Sequence, residues 1–278
     1  MQITDRDVRI LEALARFRFL DSALIAEMPD MGSAQQVRRR LRLLFDHGYI
    51  DRPQAQIAQI VLGNRPMVYG LSDRGAAHLA DFGCRGLSLK RLKDLNRGVG
   101  FSHMQHSMGL ARCQLAFEAA LESNTGVLRL AEQPDRLSWS VDFDWDGVPV
   151  EGVRIVPDGY VGWRDPSQKN PAHLLIEYDR GTEPITRAHF QTSSILRKLL
   201  AYGALHSERT CELENFRLAF ITTSAKRAAA MQALYGRKLK TKAPPGLFLF
   251  ASEADMLAVP LGRVWQDGKG RSVSLIPA

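Results

Sequence analysis

The sequence contains little cysteine, and none of it at a spacing typical of a metal or redox centre. The three cysteines, Cys84, Cys113 and Cys211, are scattered through 278 residues. Zinc sites and redox motifs usually pair cysteines a few residues apart, and disulfide frameworks need a larger even number of them. The sequence therefore predicts neither a zinc site nor a disulfide framework. It favours a reducing compartment, which we expect to be the cytoplasm.

Long apolar runs and several familiar enzyme motifs are also missing. No stretch reaches the roughly 18 apolar residues of a transmembrane helix, and the polar first seven residues do not resemble a secretory signal. We therefore expect no membrane partner. No Walker motif, GxGxxG fingerprint or nucleophile elbow is present, which argues against the enzyme classes that depend on them. A hydrophobic content of 45% is nevertheless enough for a buried core.

Positive charge is in excess and unevenly distributed. The chain has 37 Lys and Arg against 30 Asp and Glu, a net charge of +7. By residue count the net charge is +5 over residues 1–100, −3 over 101–200 and +5 over 201–278. Two basic segments thus flank an acidic centre. This pattern favours a polyanionic partner, and we expect double-stranded DNA.

Three helices and a β-hairpin are predicted near the N-terminus. Thr4 and Ser33 are typical helix N-caps, Ser33 for a helix over residues 34–46, and strands are predicted around residues 49–50 and 67–71. The third helix has an apolar face and a polar face rich in side chains that contact bases and phosphates. The DNA-binding candidates on it are Gln35, Gln36, Arg38, Arg39 and Arg42. A merely solvated face and a protein-docking module remain the alternatives.

This element order resembles winged helix-turn-helix DNA-binding domains. The resemblance covers roughly residues 4–82 and is carried by residues 39–50, which look like a recognition helix and first wing strand. We expect a DNA-binding domain over residues 1–82. The basic, glycine-punctuated residues 83–100 are predicted to be a linker, and residues 101–278 a second domain.

Three carboxylates carry the clearest chemical signal. Asp158 follows Pro157, and Glu177 and Asp179 lie in a later segment of strand-like sequence. Alternate residues of a strand point to the same face, so Glu177 and Asp179 should lie side by side. With Asp158 on a neighbouring strand they would form a group of oxygen ligands suited to Mg²⁺. We predict that these three acids hold a metal ion.

The order of elements after residue 100 resembles the PD-(D/E)XK fold of restriction endonucleases. A helix over residues 102–121 precedes predicted strands at 139–145, 153–161 and 173–179, a helix at 184–202 and a strand at 216–222. The expected fold class is thus α/β (α+β), a winged helix followed by a nuclease-like α/β domain. The resemblance implies catalytic roles for Asp158, Glu177 and Asp179. Asp179, however, stands where that family usually has lysine.

A replacement for the missing lysine is available on the following predicted helix. Lys198 lies one helical turn before Tyr202, and such relocation occurs within the superfamily that the domain resembles. Lys198 is therefore a fourth catalytic candidate, with a surface lysine as the alternative. Arg180 and Gln191 are further candidates for contacts with DNA.

The string Glu177-Tyr178-Asp179-Arg180-Gly181-Thr182-Glu183, together with the winged helix, Pro157-Asp158 and the pair Lys198 and Tyr202, resembles the replication-relaxation family of plasmids and integrative elements. The resemblance implies a role in plasmid or mobile-element replication, DNA relaxation or mobilisation, including conjugation. A relaxase, a replication protein or a second copy of the chain are the protein partners to consider. Two functions stay open: a DNA-binding protein with a nuclease-like scaffold, and an active Mg²⁺-dependent endonuclease or nickase.

Weaker patterns are expected to be structural. They are the pair His103 and His106, the helical Glu118, and the acids Asp142, Asp144 and Asp146, which fit an exposed hairpin better than a calcium loop. The basic run from Arg237 to Lys242 is either a phosphate contact or a solubilising loop.

Overall fold

The computed structural model describes residues 1–57, 65–81, 92–130, 137–187, 192–208, 211–213, 216–239 and 243–276. It divides into two compact units, Met1–Arg112 and Cys113–Ala278. Nine helices and twelve strands lie in these described ranges, so the fold is a mixed α/β one. No helix within them is long and apolar enough to cross a membrane.

The N-terminal unit combines short helices with a three-stranded sheet. Its helices are α1 (Asp5–Phe17), α2 (Ser22–Glu27), α3 (Ala34–Asp46), α4 (Asp73–Asp81), α5 (Leu92–Arg97) and the first half of α6 (Phe101–Glu122). Its strands are β1 (Phe19–Asp21), β2 (Ile50–Asp51) and β3 (Val68–Leu71), in the antiparallel order β1-β3-β2. The predicted helices and hairpin strands are present, whereas β1 was not predicted. Helix α5 lies in the segment expected to be a linker.

Local sequence explains where α1 and α3 begin. Thr4 and Ser33 each form a capping box with the third residue of the helix, Asp7 and Gln36 respectively. The apolar residues of both helices then recur on one face and are buried, among them Ile10, Leu14, Val37, Leu41 and Leu44.

The C-terminal unit is built on a seven-stranded sheet. Its strands are β4 (Leu128–Arg129), β7 (Gly159–Arg164), β8 (Ala172–Asp179), β9 (Phe216–Thr222), β10 (Phe248–Ser252), β11 (Trp265–Asp267) and β12 (Ser272–Val273), and their order is β12-β11-β10-β9-β8-β7-β4. The central strands β8, β9 and β10 are parallel, and β7 is antiparallel to β8. The ends of β8, β9 and β10 and the start of β7 therefore share one edge.

Helices and a separate hairpin cover this sheet. The helices are α7 (Ile195–Glu208), α8 (Ala225–Leu234) and α9 (Glu253–Ala258), and the hairpin consists of β5 (Trp139–Trp145) and β6 (Val148–Ile155). Side chains of β5, β6, α7 and α8 form one buried core with Leu175, Leu218 and Phe250 of the sheet. This core fixes α7 and α8 against the face of β8 that carries Leu175.

Two predicted elements differ from those observed. The strand expected over residues 153–161 is divided, because β6 pairs with β5 while β7 joins the large sheet. The break includes Pro157, which has no N–H to donate to a ladder. The helix expected from residue 184 begins only at Ile195, whose N–H and that of Leu196 donate to the carbonyls of Pro184 and Ile185. Pro184 and Ile185 thus lie in a loop that contacts the start of the helix.

A candidate carboxylate–lysine site

Glu177 and Asp179 lie side by side at the end of β8. Both are buried, and they share the sheet face of Leu175. Tyr178 points to the opposite face, where its hydroxyl donates to Oε2 of Glu253 at 3.0 Å. The predicted alternation along β8 is thus confirmed.

Asp158 reaches the same edge from the neighbouring strand. It immediately precedes β7, whose first residue Gly159 pairs with Ile176. Its Oδ2 accepts a hydrogen bond of 2.9 Å from the backbone N–H of Tyr178. The half-buried Asp158 is thereby fixed beside the strand position that carries Glu177.

Lys198 and Tyr202 both donate to Glu177 from α7. The distance from Lys198 Nζ to Glu177 Oε2 is 2.7 Å, and that from Tyr202 Oη to Glu177 Oε1 is also 2.7 Å. The one-turn spacing of the two residues directs both to the same carboxylate. Lys198 also lies 3.0 Å from Glu183 Oε2, so its ammonium group bridges two acids.

Burial dominates the electrostatics of this group. Removal from water raises the pKa of Glu177 to about 7; Lys198 opposes this effect and Asp158 adds to it. For Lys198, burial lowers the pKa, but Glu177, Asp158 and Glu183 outweigh it and hold the value above the usual range. The lysine therefore keeps its positive charge, which stabilises the carboxylates of Glu177, Glu183 and Asp158.

Asp179 has a separate set of partners. Thr222 Oγ1 donates to its Oδ2 at 2.6 Å, and Arg227 of α8 donates to both of its oxygens, at 3.0 Å for the bond to Oδ1. Burial alone would raise the pKa of Asp179, but the bonds from Arg227 and Thr222 hold it below the usual range. Asp179 is thus an ion-paired carboxylate, outside the group formed by Asp158, Glu177 and Lys198.

The loop after β8 is tied to both helices. Arg227 also donates to the backbone carbonyl of Glu183, while the Glu183 carboxylate binds Lys198 and accepts from Ser193. Gly181 has a φ of +81°, a conformation that residues with a side chain rarely adopt. Residues 177–183 therefore supply two acids of the site and also the loop contacts that connect it to α7 and α8.

The oxygen ligands available here are fewer than the sequence suggests. In the part of the chain that the structure describes, no three His, Cys, Asp or Glu side chains lie where they could hold one metal ion. Asp158 and Glu177 remain as a pair. Mg²⁺ is commonly held by one or two carboxylates with water and substrate phosphates completing its shell, so this donor set fits that ion.

The polar face of α3 is exposed as predicted, with two refinements. Gln35, Gln36, Arg38, Arg39 and Arg42 are all exposed, and the Gln36 side chain also accepts from the backbone N–H of Ser33 as part of the cap. The neighbouring Arg40 turns inward, and its Nε donates to Oδ1 of the buried Asp7 at 2.8 Å. Four of the five predicted DNA-binding side chains on α3 are thus free of the capping box.

The other predicted residues have the following places. Arg180 is half-buried directly after β8, while Gln191, Lys240 and Lys242 lie outside the described residues. His103 lies 2.8 Å from a guanidinium nitrogen of Arg18, and Glu118 pairs with Arg129 at 3.6 Å. The acids at 142–146 lie on the β5–β6 hairpin, whose turn at Asp146 and Gly147 has positive φ at both residues, as expected for a two-residue hairpin turn.

Residues 11–216 match the sequence model of the Replication-relaxation family. That span is most of the chain and includes α3, Asp158, β8 and Lys198. The chain belongs to the Replication-relaxation family. Neither the curated proteins nor the solved structures contain a match to it.

Some site residues of this Replication-relaxation protein were not found from its sequence. Arg227, Thr222 and Glu183 contact the predicted residues, yet only Glu183 lies in the recognised string. Arg227 is one of two basic residues on its helix and has no distinctive pattern around it in the sequence. Arg227 reaches Asp179 because α8 packs on β9 and β10, next to the end of β8.

Proposed function

We propose that this Replication-relaxation protein is a DNA-binding protein that serves replication, relaxation or mobilisation of a plasmid or other mobile element. Its N-terminal unit would act as a winged helix-turn-helix that binds double-stranded DNA, and its C-terminal unit as a PD-(D/E)XK-like domain. A relaxase or a replication protein of the same element is the proposed partner. The exposed face of α3 is the observation that carries the DNA-binding role.

The geometry of the N-terminal unit supports a role for α3 as the recognition helix. The order helix, strand, helix, helix and β-hairpin is that of winged helices. Arg38, Arg39 and Arg42 are exposed on one helix, and their guanidinium groups suit phosphates and guanine edges. Arg38 also donates to the carbonyl of Ala34 at 3.2 Å, and Arg42 lies 3.8 Å from Asp46. Such exposed contacts are weak enough for DNA to displace.

A DNA-binding titration at several salt concentrations tests this role. The triple variant Arg38→Ala, Arg39→Ala, Arg42→Ala should bind the element's origin DNA at least about tenfold more weakly and with a shallower salt dependence. A matched triple, Arg154→Ala, Lys226→Ala, Lys269→Ala, removes the same charge from exposed positions of the other unit. Equal affinities of the two triples would refute the assignment of α3.

We propose Mg²⁺-dependent cleavage or nicking of DNA as a second function. The convergence of Asp158, Glu177 and Lys198 favours it. These residue types match the acid, acid and lysine set of PD-(D/E)XK nucleases, with the lysine supplied by α7. Asp158 and Glu177 are the proposed metal ligands. Because Asp179 bonds Arg227, which also holds the backbone of Glu183, and does not share Lys198 with the other two acids, we assign it the role of anchoring the loop after β8.

In such a cleavage reaction the metal ion, Lys198 and Arg180 would have different roles. When bound, Mg²⁺ supplies Lewis-acid stabilisation of charge on the phosphoryl oxygens. The Lys198 ammonium group, held against Glu177, is placed to orient the attacking water and to stabilise charge on the phosphate. Arg180, next to the site, would orient a neighbouring phosphate of the strand.

Incubation with supercoiled plasmid and Mg²⁺ or Mn²⁺ separates the two functions. Nicking by the wild type that is abolished in Asp158→Asn and Lys198→Met would support the enzyme. Lys226→Met, an exposed lysine of α8, is the matched control and should leave nicking unchanged. DNA binding without any cleavage of origin DNA would leave the binding function alone.

A further inference from the structure

A cavity of about 800 Å³ lies in the C-terminal unit, at the edge of the sheet opposite the carboxylates. Its lining includes Trp163 near the end of β7, Ala172 at the start of β8 and Phe216 at the start of β9. Its volume is within the range of sites that hold small molecules. The carboxylate–lysine site does not include any of these residues.

Two arginines give this cavity a positive lining. Arg217 is the second residue of β9, and Arg263 precedes β11. The Arg217 side chain is exposed to the cavity, and among the described residues no carboxylate pairs with it. Asp165, the acid in the described lining, already accepts from the backbone N–H and the hydroxyl of Ser167 through Oδ1. Two guanidinium groups in a cavity whose described residues offer them no free acid favour an anionic ligand.

The remaining lining supplies hydrogen-bonding groups and an apolar wall. His173 and His206 are half-buried, and His173 lies 2.7 Å from the hydroxyl of Tyr160. Trp163 and Phe216 are buried and form apolar lining. A ligand with an anionic group and a flat apolar part would match this combination, and a guanidinium binds phosphate through two parallel hydrogen bonds.

We propose that this cavity binds the phosphate group of a nucleotide, either free or at the end of a DNA strand, with Arg217 and Arg263 as the phosphate ligands. The inference does not depend on the function proposed for α3 or for the carboxylates. It assigns the C-terminal unit a second site at the amino ends of the parallel strands.

Calorimetric titration of the full chain tests the phosphate dependence. Deoxyadenosine monophosphate should bind, whereas deoxyadenosine, which lacks only the phosphate, should bind at least about tenfold more weakly. Arg217→Gln and Arg263→Gln should each weaken the binding of deoxyadenosine monophosphate by a similar factor. Arg164→Gln is the matched control, because Arg164 is an exposed residue at the end of β7 that does not line the cavity, and it should bind as the wild type does.

A pair of short single-stranded oligonucleotides, with and without a 5′-phosphate, identifies the source of the phosphate. Tighter binding of the phosphorylated strand than of the monophosphate indicates a strand end, and equal binding indicates that a free nucleotide suffices. Thermal unfolding establishes that each variant is folded. Equal affinity for nucleoside and nucleotide, no binding of either phosphorylated probe, or unchanged affinity in both folded glutamine variants would overturn the proposal.

Discussion

Arg227 of α8 binds Asp179 at the end of β8 and, with the same guanidinium group, the backbone carbonyl of Glu183. The arginine thus joins a strand, the loop that follows it and a helix from later in the chain. It also explains why Asp179 does not contact the group formed by Asp158, Glu177 and Lys198.

Replacing Arg227 should destabilise the C-terminal unit strongly. Arg227→Ala leaves the buried carboxylate of Asp179 without its cation, and a broken buried pair typically costs about 3–5 kcal/mol. Chemical denaturation measures the loss, and Lys226→Ala on the same helix is the exposed control. If the pair acts as a unit, Asp179→Asn in the Arg227→Ala background should recover part of the lost stability. A loss as small as that of Lys226→Ala would contradict the assignment.

Removal of the Tyr202 hydroxyl should have a smaller effect. Tyr202→Phe deprives Oε1 of Glu177 of a donor in a fully buried position, which we expect to cost about 1–3 kcal/mol. Tyr178→Phe removes a comparable hydroxyl that donates to the half-buried Glu253 on the other face. Denaturation curves should rank Tyr202→Phe as the more destabilised variant; the reverse order would show that the Tyr202 bond contributes little.

Acid should destabilise the N-terminal unit partly through Asp7. Burial raises the pKa of Asp7, but bonds from Arg40 and Thr4 outweigh this and lower it below 3.8. The unfolded chain then binds a proton at a higher pH than the folded one, so the stabilisation is complete above the unfolded pKa and disappears as pH falls through the folded value. Asp7→Asn should flatten the stability profile in that acidic window and lower stability at neutral pH. Asp5→Asn, at an exposed position of the same helical turn, should retain the wild-type slope.

The loop after β8 should be sensitive to a single methyl group at residue 181. Gly181→Ala forces a side chain into a backbone conformation with φ of +81°, at a cost of about 1–2 kcal/mol. Gly100→Ala is the comparison, because its added Cβ would meet no atom within 4 Å and its φ is not positive. Thermal unfolding of both variants measures the difference in stability. Equal stability would show that the loop readjusts without strain.

Local patterns predicted much of this structure from sequence. The caps at Thr4 and Ser33, the alternation of Glu177 and Asp179, and the hairpin turn at Asp146 all depend on neighbours a few residues away. Periodicity along the chain therefore contains the information needed to place them.

Contacts between distant segments were not predictable in the same way. Arg227 is 48 residues from Asp179, and Arg40 is 33 residues from Asp7. Each arginine stands beside another basic residue on its helix, Arg39 and Lys226 respectively, and no local pattern marks it as a partner of a distant acid. The division of the strand at Pro157 likewise depends on which sheet each half joins, and no local pattern encodes that choice.

The bond between Arg40 and the buried Asp7 has a consequence for how α3 could evolve. Successive side chains of a helix are rotated by about 100°, so the bond of Arg40 to α1 and the burial of Val37, Leu41 and Leu44 together set the directions of the other side chains. Arg39 and Arg42 thus point outward in part because a buried carboxylate on a different helix holds the neighbouring Arg40 inward. A substitution at position 7 would remove one of the contacts that orient the basic surface, while every outward-facing residue stayed the same.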